Sequence, residues 1–383
     1  MTKMKPYLKR AWAEVSLSQL GRNVKIIKEL NSQTTGIMAV VKADAYGHGD
    51  EQVCKYLYNE CGIGYFAVSN LDEAVAVRQY CPESEIFILG YTPPEYAHEI
   101  AEYNIIQGVI STEYAVRLAE NTPVPMRCHV KLDTGMGRIG LKHDTPEECA
   151  DEIENIMKIK NLIVEGIYTH FAVADSDTHD NIAYTDRQEK FICDTYKILE
   201  NRNIKFEHLH FMNSAGTCYR NNPASTLARV GIVMYGLHPD INLEIPEGIE
   251  PVMTVKAVIS HVKTVEKGDC ISYGRTFTAE RTMKIATVTV GYADGYSRLL
   301  SSKGEILVHG KRCKITGRVC MDQLMIDVSD VEAQAGDIVT LIGKEGDDCI
   351  TADELATLYG TIGYEVVCGI SKRVPRIYTG GND

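Results

Sequence analysis

Apolar positions along the chain recur in two periods. From residue 37 onward, short runs of Val, Ile, Phe and Leu alternate with longer stretches in which apolar residues return every three or four positions. The first pattern suits a strand buried on both faces, the second an amphipathic helix. The runs predict strands over Ile37–Lys42, Tyr65–Ser69, Glu85–Leu89, Ile105–Ile110, Arg127–Leu132, Ile163–Thr169, Phe206–Phe211 and Ala228–Tyr235. Helical stretches lie between them, over Leu71–Tyr80, Pro94–Tyr103, Thr112–Glu120, Pro146–Lys158 and Thr185–Asn201. Eight strands, each normally followed by a helix, is the count of a (β/α)8 TIM-type barrel, an α/β fold. A doubly wound open sheet usually has fewer strands and a glycine-rich fingerprint after the first, and neither fits here.

The pattern changes near residues 239–251, where "PDINLEIPEGIEP" reads as a linker. Beyond it, β-prone runs broken by Gly and Asp turns predict a mainly antiparallel β domain, interrupted by one short helix over Ala352–Tyr359. The division expected is residues 12–245 for the barrel, and residues 246–383 with 1–11 for the β domain. Residues 11–30 start strand-like and turn helical from about Ser18.

Composition narrows the function. Apolar content of 44% and charged content of 24% are those of a globular protein. A net charge of −12 argues against a nucleic-acid partner, because phosphate binding needs a basic surface. Twelve cysteines are scattered without a C-x-x-C pair, which is no zinc pattern, so no metal is expected. Their apolar settings suit reduced thiols in a cytoplasmic protein. The N-terminus has Lys3, Lys5, Lys9 and Arg10, but the stretch that follows is too polar for a signal segment. No apolar stretch reaches the roughly 18 residues needed to span a bilayer.

Candidate chemistry collects at the predicted strand ends, where barrels of this kind carry their functional groups. Those ends hold Lys42, Lys131, His170, His210 with Asn213 and Ser214, and Arg229 with Gly231. The stretch "MAVVKADAYGHG" around Lys42 is an apolar strand that stops at a lysine and a glycine-containing loop. Partial burial there can lower an amine pKa from about 10.4 and favour Schiff-base chemistry. The plain alternative is a lysine that snorkels out of a strand end. "NSAG" at Asn213–Gly216 and "RVGIVMYG" at Arg229–Gly236 offer a hydroxyl and backbone amides suited to a phosphate dianion.

The Lys42 segment closely resembles the pyridoxal-phosphate lysine segment of the alanine racemases, and the likeness runs along nearly the whole chain. "KLDTGMGRIG", "YTHFAVAD", "ISYGRTF", "VGYADGYSR" and "VCMDQLMIDV" extend it. The resemblance implies pyridoxal 5'-phosphate held as an internal aldimine on Lys42. It implies that Tyr46, Ser214, Gly231, Ile232 and Tyr364 hold its phosphate and that Arg229 faces the pyridine nitrogen. Arg138 corresponds to the arginine that orients the substrate carboxylate, and Lys131 to a lysine often found carbamylated beside it. His170 corresponds to a residue linking the catalytic tyrosine to Arg229, Tyr273 to the tyrosine, Met321 to the amide that meets the substrate carboxylate, and Tyr292 to the residue gating the access channel.

The implied activity is interconversion of L-alanine and D-alanine by two bases, Lys42 and Tyr273, supplying D-alanine for peptidoglycan in the cytoplasm. The implied assembly is a homodimer with shared sites. Three alternatives compete: a racemase preferring serine or another amino acid, a basic amino-acid decarboxylase of like architecture, and a non-catalytic pyridoxal-phosphate binding protein. The "SYGRTF" and "MDQ" strings fit racemases better than decarboxylases, and the β domain disfavours the binding proteins, which are single barrels.

Overall fold

The computed structural model describes residues 10–220 and 222–381. Lys3, Lys5 and Lys9, and most of the segment 1–11 expected to join the β domain, lie outside the described residues. The chain divides into two units, one of residues 21–45 and 50–249, the other of residues 1–20, 46–49 and 250–383.

The first unit is the predicted barrel. Its parallel strands are Gly36–Val40, Tyr65–Val68, Glu85–Ile88, Ile106–Val109, Met126–Lys131, Leu162–Tyr168, His208–His210 and Leu227–Val230, with the eighth strand paired to the first. Two backbone bonds close the ring between the last two: Thr226 N–H to the Leu209 carbonyl at 2.7 Å and Arg229 N–H to the Met212 carbonyl at 3.0 Å. Ile86, Phe87 and Ile88 are fully buried, as expected of strands covered on both faces. The helices start where short polar side chains cap them. Asn70 accepts from Glu73 N–H at 3.0 Å and Ser111 from Tyr114 N–H at 3.1 Å. The eighth strand is shorter than predicted, because the chain turns at Gly231 into a 3-10 turn over Ile232–Tyr235. A helix over Asp50–Asn59, buried through Val53, Cys54 and Leu57, was not anticipated.

The second unit is a mainly antiparallel sheet organised around the long strand Met253–Val265. That strand pairs with Ile338–Glu345 and, past an irregularity at Ile259–His261, with Met283–Val288. Ala11–Ser16 belongs to this sheet and not to the barrel, which corrects the expected barrel start at residue 12. It runs antiparallel to Met253–Val265, with Ala11 opposite Ala257, and parallel to Arg376–Thr379. The cause is burial: Ala11, Trp12, Ala13 and Val15 are almost fully covered there. Among the described residues no helix is long and apolar enough to cross a membrane. No disulfide joins any of the cysteines among the described residues.

Candidate active site

The candidate residues fall on both units. In the barrel unit, Val41 follows the strand Gly36–Val40 and its N–H still donates to the Ala67 carbonyl at 2.9 Å, so Lys42 comes directly after the last residue bonded to the neighbouring strand. The chain then turns left-handed, with φ of 54°, 56°, 52° and 53° at Ala43, Asp44, Ala45 and Tyr46. Such a turn of non-glycine residues costs roughly 1–2 kcal/mol per residue and persists only where its surroundings fix it. Glu73 does part of this, accepting from Ala43 N–H at 2.8 Å and Ser69 N–H at 2.7 Å, while Asp44 accepts from Asp50 N–H at 3.0 Å. Lys42 is half-buried.

Lys131 ends the fifth strand and is 3% exposed. Its amine stands 4.9 Å from the Tyr168 ring centre, and no carboxylate pairs with it among the described residues. Burial, with the positive charges of Arg229 and Arg138, pushes it down to about 7. The following loop folds back on the strand: Leu141 N–H donates to the Lys131 carbonyl at 2.8 Å and Asp133 N–H to the Leu141 carbonyl at 2.7 Å. A Cβ at Gly140, where φ is +126°, would lie 2.8 Å from Asp133 N, so this return needs glycine. Arg138 sits on the loop with its side chain exposed.

Arg229 is 3% exposed. Its Nη1 donates to His210 Nδ1 at 3.0 Å and to the His210 carbonyl at 2.9 Å; its Nη2 donates to the Thr169 carbonyl at 2.6 Å and to His170 Nδ1 at 3.3 Å. Every one of these partners is neutral, and burial draws the guanidinium down to about 10. Because arginine can only donate, both imidazoles accept at Nδ1 and carry their proton on Nε2. His210 Nε2 lies 2.9 Å from His129 Nδ1, which passes the same tautomer to His129. Burial, reinforced by nearby positive charges, holds His170, His210 and His129 well below the usual imidazole range. Ser214 Oγ accepts from Gly231 N–H at 2.9 Å, which brings these two candidates together beside the buried Ile232.

Gln188 was missed by sequence reasoning. It is 1% exposed and donates to the His170 carbonyl at 3.1 Å and to Thr134 Oγ1 at 3.3 Å, while accepting from Ala172 N–H at 3.0 Å. It ties the His170 loop to the Arg138 loop. The available signal was its place on the buried helical stripe with Thr185, Ile192, Thr195 and Leu199.

In the second unit, Tyr273 opens a tight turn between Cys270–Ile271 and Phe277–Thr278, and its side chain is 69% exposed. Ser272 Oγ donates to the Arg318 carbonyl at 2.8 Å and ties that turn to the Met321 loop. Tyr273 and Met321 line one open cleft with Ser272, Cys320, Asp322 and Gln323. Tyr292 is exposed, but its N–H donates to the Cys320 carbonyl at 3.0 Å. Tyr46 is buried against Tyr364, ring centres 6.2 Å apart, and burial raises its hydroxyl pKa. Gly47 is required there, since a Cβ would lie 2.4 Å from the Val367 carbonyl.

An amine-bearing parallel barrel followed by an antiparallel β domain puts the chain among the two-domain barrel enzymes. The alanine racemase N-terminal domain matches residues 15–239 and the alanine racemase C-terminal domain residues 252–378. The chain belongs to the alanine racemase family. Alanine racemase 1 of Clostridium acetobutylicum is 41% identical over 377 residues, covering 97% of this chain and 96% of that protein. The alanine racemase of Desulforamulus reducens is 42% identical over 376 residues, covering 96% and 99%. The crystal structure of alanine racemase from Bacillus anthracis with bound L-Ala-P superposes with a TM-score of 0.91 at 37% identity, covering 98% of this chain and 96% of that one.

Proposed function

We propose that the chain is an alanine racemase that interconverts L-alanine and D-alanine with pyridoxal 5'-phosphate at the barrel mouth, and so supplies D-alanine for peptidoglycan. The observation that carries the reading is Arg229, fully buried among neutral acceptors. A permanent donor of this kind at the cofactor's ring nitrogen cannot hand over a proton, which weakens the ring as an electron sink and suits a reversible proton transfer better than decarboxylation.

The donor set fits the cofactor. Ser214 accepts from Gly231 N–H and still has its own hydroxyl proton to give a phosphate oxygen. Ile232 heads a buried turn. These three, with Tyr46 and Tyr364, would hold the phosphate, and Lys42 would hold the aldehyde carbon. When bound, the cofactor stores the electron pair left at the substrate's α-carbon.

The chain's own groups handle the proton. The Lys42 amine takes or returns it on one face of the α-carbon, and the Tyr273 hydroxyl on the other. The Nε2–H of His170, with Nδ1 occupied by Arg229, is free to donate to the Tyr273 oxygen and ease its loss of a proton. Arg138 and the Met321 N–H hold the substrate carboxylate, and Tyr292 gates access. The Lys131 amine, pushed down to about 7, is available as a nucleophile toward carbon dioxide. A nitrogen–carbon bond forms, one proton leaves the nitrogen, and the resulting carbamate anion pairs with Arg138. Tyr273 and Met321 serve the barrel mouth of a second copy, so the enzyme works as a homodimer. Twelve cysteines with no disulfide among the described residues support a cytoplasmic location.

A chiral assay on L-alanine and L-serine tests the activity and the preference for alanine. Borohydride reduction of the loaded enzyme followed by peptide mapping should tag Lys42. A tag elsewhere, or none, would sink the assignment.

A further inference from the structure

Asp294 keeps a carboxylate in the β unit with 0% side-chain exposure. A buried charge persists only when it is paired and hydrogen-bonded. Arg10 grips it with two parallel bonds, Nη1 to Oδ1 at 2.8 Å and Nη2 to Oδ2 at 2.7 Å. Arg373 Nε stands 3.3 Å from Oδ1, and Gly291 N–H donates to Oδ2 at 2.9 Å. Both arginines reach on to Asp322: Arg10 Nη2 donates to its carbonyl at 3.1 Å and Arg373 Nη2 to its side chain at 2.7 Å.

The backbone makes the same connection. Tyr292 N–H donates to the Cys320 carbonyl and Ala293 N–H to the Met321 carbonyl, each at 3.0 Å. The Cys320 carbonyl shares a planar trans peptide with Met321 N–H, so holding the oxygen against the turn aims that N–H the other way. The approach is close: a Cβ on Gly291 would lie 2.3 Å from both the Cys320 and the Met321 carbonyl oxygens.

We propose that Asp294 is a positioning residue for substrate recognition, which through the Gly291–Asp294 turn fixes the direction of the Met321 N–H and with it the grip on an amino-acid carboxylate. The proposal rests on the reading of Met321 as a carboxylate donor. Asp294 itself touches no substrate.

The test uses the loaded Asp294→Asn enzyme, which keeps the side-chain shape and loses the anion. KM for both alanine enantiomers, and the inhibition constant for propionate, should rise about tenfold while kcat moves less than about twofold, roughly one charge-assisted hydrogen bond of uniform binding. A lower melting temperature with unchanged KM and unchanged propionate inhibition would overturn the proposal. Arg373→Gln leaves the Arg10 pair intact and should raise KM about threefold, as befits an exposed arm. If Asp294→Asn does not fold, an unchanged KM in Arg373→Gln overturns the proposal instead. If propionate fails to compete with alanine in the wild-type enzyme, the Met321 reading falls and takes the proposal with it.

Discussion

The barrel mouth and the β-domain loops hold their candidate groups in opposite ways. In the barrel, Lys131, Arg229, His129 and His210 are buried, and side-chain bonds and low dielectric set their charge states. In the β domain, Tyr273, Tyr292 and Met321 are exposed side chains on turns fixed by their backbones and by hidden partners such as Asp294. The barrel therefore tunes its groups by environment, while the β domain aims its groups by geometry. A residue of the first kind fails when its surroundings are changed; one of the second kind fails when its turn is loosened.

The largest effect should come from the β side. Tyr273→Phe removes the proposed proton carrier and nothing from the turn that presents it, so racemisation should fall by about 10²–10⁴-fold. The visible absorbance of the bound cofactor should stay. Near-normal turnover would break the comparison by making the exposed tyrosine irrelevant.

A middle-sized effect tests the barrel side. His129, His210 and His170 are held neutral below their ordinary value of about 6.5. Below that pH the unfolded chain binds protons that the fold refuses, so stability is full above it and falls as pH drops toward 5. Each imidazole contributes up to about 1.4 kcal/mol per pH unit in that window. His129→Asn keeps an acceptor for His210, and urea unfolding at pH 7, 6 and 5 should show a slope shallower by about that amount. An unchanged slope would mean that burial does not govern these groups.

The smallest effect sharpens the comparison. Glu73 fixes the left-handed turn after Lys42 by its backbone, the β-domain strategy used inside the barrel. Glu73→Gln should cost about 1 kcal/mol in thermal unfolding, with little change in cofactor affinity. A loss of cofactor binding would show that the turn, too, is part of the tuned machinery.

The barrel was legible because strands buried on both faces leave unbroken apolar runs, and because the groups at their ends stand out as polar interruptions. Lys131, His170 and Arg229 were found that way, and the fold brings His170 and Arg229 within hydrogen-bond reach of each other. The turn at Ala43–Tyr46 was not legible, since none of its residues is the glycine that ordinarily marks positive φ. Ala11–Ser16 reads as a strand, but nothing local says which sheet will cover it. The Arg10–Asp294 pair joins positions 284 residues apart, a partnership no window of sequence can contain.

Residues 46–49 are grouped with the β unit although the chain on either side of them belongs to the barrel. Arg376 Nε donates to the Gly47 carbonyl at 2.9 Å, and Tyr378 OH to the His48 carbonyl at 3.2 Å. A gene cut near codon 250 would therefore yield two unfinished products: one with a stranded tetrapeptide, the other lacking the two carbonyls that Arg376 Nε and Tyr378 OH reach. The β unit is thus spelled by three separate stretches of the gene, one of them only four codons long and enclosed by barrel sequence.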